Sequence, residues 1–145
     1  MNPNEINQLS HDLIGAAIEV HRELGPGLLE SAYEGAYSHE LHLRNIPHVR
    51  QKLMPVLYKG TVIDTGYRID ILADERVIVE LKAVEKILPI HSAQLQTYLR
   101  LGKLPLGLLM NFNTLKLVDG IERVSNSAPG LSAPSASSAL KNSAT

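Results

Sequence analysis

Two stretches of the chain carry charged side chains where a strand should be apolar: Tyr67-Arg68-Ile69-Asp70-Ile71-Leu72 and Val77-Ile78-Val79-Glu80-Leu81-Lys82-Ala83. In an extended run alternate residues share a face, so Glu80 and Lys82 point the same way, and Val77, Val79, Leu81 and Ala83 take the other face. Asp74-Glu75 is a tight connection between the two runs, and pairing around it brings Asp70 beside Glu80. Burying charges among apolar strands is costly unless they are paired or hold a metal. Two carboxylates with waters suit a hard cation such as Mg2+ or Mn2+. Such an ion would polarise a phosphoryl oxygen and acidify a bound water, with Lys82 orienting that water and offsetting charge on the phosphate. The plainer alternative is a cross-strand ion pair on a solvated sheet face.

Other residues fall near this group by spacing. Gln94 and Tyr98, four apart on an expected helix, share a face, and His91 lies one turn before Gln94. His91 reads first as a helix-start or surface group. Glu30, in the first turn of another helix, complements the helix dipole, worth about 0.3–1 kcal/mol. Tyr33, three residues on, reads as a packing residue with a wet hydroxyl. His11, His21, His39, His42 and His48 show no ligand spacing joined to an acidic partner, and Arg44, Arg50, Lys52, Lys59 and Arg68 form at most a modest basic rim. Gly25-Pro26-Gly27 lacks the Lys and Ser/Thr of a phosphate loop, and no Ser sits in a nucleophile elbow.

Composition narrows the class. With 145 residues the chain fits one domain, and with no Cys it has no disulfide, thiolate cluster or thiol nucleophile. The net charge of −1 gives no general push toward nucleic acid, so phosphate binding would need a local patch or metal ions. No apolar run approaches the ~18 residues of a membrane helix, and the N-terminus lacks the pattern of a secretory signal. The expectation is a cytoplasmic protein with no membrane partner.

The elements that must position these residues follow from periodicity. Leu9, Leu13, Ala16, Ala17, Val20 and Leu24 line one face of a helix over 5–24, ended by Gly25-Pro26-Gly27. A second helix is expected over 29–44. Strands are expected over 49–58 and 61–73, joined by a Lys59-Gly60 turn and the second bent at Gly66, and over 76–84. Pro89 opens a helix to about Leu101, Leu106–Phe112 reads as a strand buried on both faces, and a last piece covers 115–124. The fold class is α/β (α+β): a mixed sheet of four or five strands flanked by helices. From Ser125 onward the chain is mostly Ser, Ala, Asn, Pro and Gly. Residues 1–124 are therefore expected to form the domain and residues 125–145 a disordered low-complexity tail.

Asp70 followed after a turn by Glu80-Leu81-Lys82 resembles the signature of the PD-(D/E)XK nuclease superfamily, although Ile69 stands where that signature has Pro. The order of helix, three-stranded meander, helix and strand resembles its restriction-endonuclease-like core. Gly27-Leu28-Leu29-Glu30-Ser31-Ala32-Tyr33 resembles the motif of the small GxxExxY family. So do Tyr58-Lys59-Gly60, Val79-Glu80-Leu81-Lys82-Ala83, Pro89-Ile90-His91-Ser92-Ala93-Gln94 and Gly107-Leu108-Leu109-Met110-Asn111-Phe112, and the likeness spans about residues 10–124. It implies nuclease ancestry, with DNA or RNA as partner and Mg2+ or Mn2+ as cofactor. It makes Glu30 a third carboxylate beside Asp70 and Glu80 at the metal. Gln94-x3-Tyr98 resembles the extra motif of RecB-type and lambda-exonuclease-like nucleases, where the Gln contacts the site around Lys and metal and the Tyr approaches substrate. The expected catalytic set is Asp70, Glu80, Lys82 and Gln94, with Tyr98, Tyr33 and His91 toward substrate. The rival reading is a catalytically silent module that binds nucleic acid or a protein partner, with a homodimer as one form.

Overall fold

Asn2 caps the first helix by accepting the Asn4 N–H on Oδ1 at 2.9 Å, and Pro3 occupies the first helical position, where no N–H is needed. The computed structural model describes residues 2–127. Helix α1 spans Pro3–Leu24 and stops at Gly25, whose φ of 71° is a conformation glycine adopts without strain. Helix α2 spans Glu30–Leu43. Strands follow at β1 His48–Leu53, β2 Val56–Tyr58, β3 Thr61–Ile63, β4 Arg68–Ala73 and β5 Val77–Lys82. Helix α3, Pro89–Gly102, leads to β6, Leu106–Asn111, and a 3-10 turn at Leu117–Gly120 leads to β7, Ile121–Ser125. Among the described residues no helix is long and apolar enough to cross a membrane.

The main sheet has the order β1-β4-β5-β6-β7. Among the described residues only β5 and β6 pair in parallel, from Val77↔Leu106 to Lys82↔Asn111, because α3 carries the chain back across the sheet. The meander β4–β5 turns at Asp74-Glu75, with φ values of 50° and 57° and the Arg76 N–H bonded to the Ala73 carbonyl at 3.0 Å. Two consecutive positive φ values match the twist of the flanking strands. This makes the fold a mixed α/β sheet flanked by helices, as expected.

One expectation needs correcting. The runs 49–58 and 61–73 are not two continuous strands. Each is broken, at Met54-Pro55 and at Asp64–Tyr67, and the distal halves pair with each other as a separate ribbon, β2–β3. Pro55 has no N–H for a ladder, Gly66 turns at φ 73°, and the Met54 N–H bonds the Tyr67 carbonyl at 2.8 Å across the neck. The Lys59-Gly60 turn closes the ribbon tip, again with two positive φ values.

The sheet is covered on both faces. Leu13, Ala16, Tyr33, Tyr37 and Leu41 from α1 and α2 pack on Ile71, Val79, Leu81, Leu108 and Met110. Leu95, Tyr98 and Leu99 from α3 pack on Ile69, Ile78, Leu109 and Val124. Every residue of β6 is buried, as an apolar run between two helical layers requires. A Cβ on Gly107 would stand 2.7 Å from the Leu95 side chain, so α3 sits as close as a glycine allows.

The fold continues past Val124: Ser125 ends β7, and Asn126 is buried with its amide donating to the Leu99 and Leu104 carbonyls at 2.9 and 2.8 Å. Residues 128–145, most of the segment expected as a tail, lie outside the described residues. Asn126→Ala leaves those two carbonyls without this donor and is expected to lower stability by about 1–3 kcal/mol, read from the midpoint of a urea unfolding curve.

Candidate active site

Strands β4 and β5 pair from their turn up to Ile71↔Val79. Continuing that register sets Asp70 opposite Glu80. There the main-chain ladder gives way to side chains. The Asp70 N–H donates to Glu80 Oε2 at 3.1 Å, and the Leu81 N–H donates to Asp70 Oδ2 at 2.9 Å. Each carboxylate thus reaches across to the opposite strand and takes a backbone donor. Asp70 is half-buried and Glu80 is buried.

This placement sets the electrostatics. Burial first, and the Asp70 charge next, push the Glu80 carboxyl up to about 9, against the opposing pull of the Lys82 ammonium. Glu80 therefore holds a proton at neutral pH in the metal-free protein. Lys82 is the last residue of β5, half-buried and on the Glu80 face.

Helix α3 closes one side. The Tyr98 hydroxyl is made less acidic by burial, then by the charges of Glu80, Tyr67 and Asp70, while a hydrogen bond from Gln94 works the other way. Tyr98 therefore lies within electrostatic reach of the carboxylate pair, and Gln94, one helical turn before it, lies beside Tyr98. The Tyr67 ring lies 6.5 Å from that of Tyr98, tilted by 55°.

The remaining candidates are held elsewhere. Glu30 opens α2, and its Oε2 accepts the Ala83 N–H at 3.1 Å, just past the end of β5. His91 Nδ1 accepts the Leu88 N–H at 3.0 Å and so secures the start of α3. Tyr33 does not reach a substrate surface. It is fully buried, stacked on Phe112 at 4.7 Å, and its hydroxyl bonds the Gly25 carbonyl and the Leu28 N–H. The motif spacing from Gly27 to Tyr33 thus clasps the α1–α2 loop, since a tyrosine one turn into α2 can reach back to close it.

Two residues outside the expected set enter the site. Gln51, in β1, has φ 51°, rare for a side-chain-bearing residue, and sits between the pairs Arg50↔Ile71 and Lys52↔Ile69, opposite Asp70. Its amide donates to Glu34 Oε1 at 2.6 Å and to Asp70 Oδ1 at 3.4 Å. Glu34 is buried and pairs with Arg50 at 3.1 Å. The relay Glu34–Gln51–Asp70 holds the Asp70 carboxylate from the side away from Glu80. The adjacency of Tyr33 and Glu34 was the only available hint, because the backbone kink at Gln51 leaves no mark in residue type.

The chain belongs to the PD-(D/E)XK nuclease superfamily, whose family model matches residues 7–124. No curated protein and no solved structure matches it. Nucleases of this superfamily generally use divalent metal ions. Among the described residues no three His, Asp or Glu side chains gather as a ready-made cage. The donor set still fits a hard cation: the two facing carboxylates would ligate once the cation displaces the proton held between them, leaving the balance of a shell to water and phosphate oxygens, the pattern by which Mg2+ is commonly bound.

The raised Glu80 carboxyl makes a stability prediction. Its ordinary value is 4.5 and its folded value about 9, so its contribution is fully present below 4.5 and is lost as pH rises through 9. Metal-free Glu80→Gln, isosteric with the protonated side chain, is expected to match wild type near pH 5. At pH 9 it is expected to exceed wild type by on the order of a few kcal/mol. Thermal melts in EDTA at the two pH values check this, and a constant difference between the proteins would contradict the assignment.

Proposed function

We propose that this protein is a metal-dependent nuclease that hydrolyses phosphodiester bonds in DNA or RNA, with Mg2+ or Mn2+ held by Asp70 and Glu80. The observation that carries this reading is the facing carboxylate pair with Lys82 on the same strand face. The divalent ion supplies Lewis-acid polarisation of a phosphoryl oxygen. Lys82 places an ammonium where the attacking water and the growing negative charge on phosphate need one. Gln94, bonded to Tyr98, orients polar groups around Lys82, and Tyr98 approaches the substrate. Glu30 assists from the end of β5, through the Ala83 amide or through water. His91, at the start of the same helix, is assigned a role toward substrate besides holding the Leu88 N–H. The spacing Gly27-x-x-Glu30-x-x-Tyr33, with Tyr33 closing the loop that Gly25 opens, supports placing the chain in the GxxExxY family.

The test is cleavage of labelled single- and double-stranded DNA and RNA with Mg2+, with Mn2+ and with EDTA. Asp70→Ala and Lys82→Ala are each expected to lower the rate by about a hundredfold or more. Mn2+ binding by calorimetry is expected in wild type and lost in Glu80→Ala. Equal rates in wild type and both variants would overturn the reading. Nucleic-acid binding with no hydrolysis under any metal would assign the chain as a silent module.

A further inference from the structure

Among the described residues the β2–β3 ribbon pairs only with itself: Val56↔Ile63, Leu57↔Val62 and Tyr58↔Thr61. It leaves the main sheet after Leu53 and returns at Arg68, two residues before Asp70. Its neck is anchored beneath α3, where Met54 is buried with Ile69, Tyr98 and Leu99. Tyr67 at the neck lies against Tyr98. The ribbon therefore rises from the lip of the Asp70–Glu80 site.

Its surface is unusual for a solvated arm. Leu57, Tyr58, Val62 and Tyr67 are 64%, 60%, 66% and 52% exposed. An isolated two-stranded ribbon is marginal in water, and apolar groups gathered on it mark a surface that something covers. Charge identifies the occupant. With Arg50 paired to Glu34, the cations from Gln51 to Arg68 are Lys52, Lys59 and Arg68, against Asp64 as the sole acid, in a chain whose net charge is −1. The Lys59 ammonium stands 5.3 Å over the Tyr58 ring. A duplex hides the faces of its bases and would leave the tyrosines against water. An unpaired strand offers base faces for aromatic stacking and phosphates for cations along one track.

We propose that the β2–β3 ribbon binds single-stranded nucleic acid, with bases stacked on Tyr58 and Tyr67 and phosphates on Lys52, Lys59 and Arg68. The site would then act on substrates with an unpaired stretch. The use of this grip in hydrolysis rests on the nuclease reading above; the grip itself does not.

The experiment is fluorescence anisotropy in EDTA, with the full chain and either a labelled oligothymidylate or a labelled duplex of equal length. Single strand is expected to bind more tightly than duplex. Tyr58→Ala is expected to weaken single-strand binding about 5- to 100-fold, and Tyr58→Phe to restore it. Lys59→Ala is expected to reduce the slope of log affinity against log salt by about 0.7. Tyr58 and Lys59 are exposed, so these variants leave the core intact. The proposal is overturned if duplex binds as well as single strand, or if Tyr58→Ala binds like wild type. It is also overturned if wild type binds neither and sediments as a dimer that Tyr58→Ala dissociates. Because metal is absent, a loss of this binding is separate from a loss of hydrolysis. Undiminished cleavage by Tyr58→Ala, with binding unchanged, would sink the ribbon's role and leave the nuclease reading standing.

Discussion

Two carboxylates that face each other across paired strands cannot both stay ionised without a counter-charge. In the metal-free protein a proton on Glu80 relieves the conflict, and the pressure toward that proton comes from burial and from Asp70. The surrounding fold keeps the conflict in place. The Asp74-Glu75 turn sets the register of β4 on β5, and β6 holds β5 from the other side in a strand with no exposed residue. Helix α3 covers that face closely enough that a Cβ at position 107 would displace the Leu95 side chain. Little in this framework can yield to move the two acids apart.

The same geometry explains why the site is built from backbone donors as well as side chains. Where the β4–β5 ladder stops, the Asp70 and Leu81 amides would lack partners, and the opposing carboxylates accept them. Asp70 is further held by Gln51, which leans on the buried Glu34. A strained backbone at Gln51 persists because Glu34, Arg50 and the Arg68 bond to the Gln51 carbonyl all brace it. Such bracing is what a site needs if its carboxylates are to keep their direction while charge near them changes.

The ribbon is the other consequence of local breaks in the strands. Pro55 ends the pairing of the first long run, and Gly66 turns the chain back into the second. The segment between them is released from the main sheet and carries its aromatic and basic residues beside the site.

Much of this was legible in residue types. Period-three and period-four apolar spacing marked α1, the all-apolar run marked β6, and Asp70, Glu80 and Lys82 stood out because ionisable groups do not belong in apolar strands. That Gln94 and Tyr98 share a helix face followed from one helical turn of spacing. These inferences rest on local periodicity, which a sequence carries directly. Four features were settled only by the fold. The segment between Pro55 and Gly66 paired with itself as a separate ribbon because pairing partners, not β propensity, decide which sheet a strand joins. Tyr33 went into the core, where Phe112 and the α1–α2 loop claimed both its ring and its hydroxyl. Gln51 and Glu34 joined Asp70 through contacts between residues distant in the chain. Glu80 acquired its raised carboxyl only when β4 and α3 took it out of water, because a residue's type fixes its ordinary acidity and its neighbours in space decide the rest.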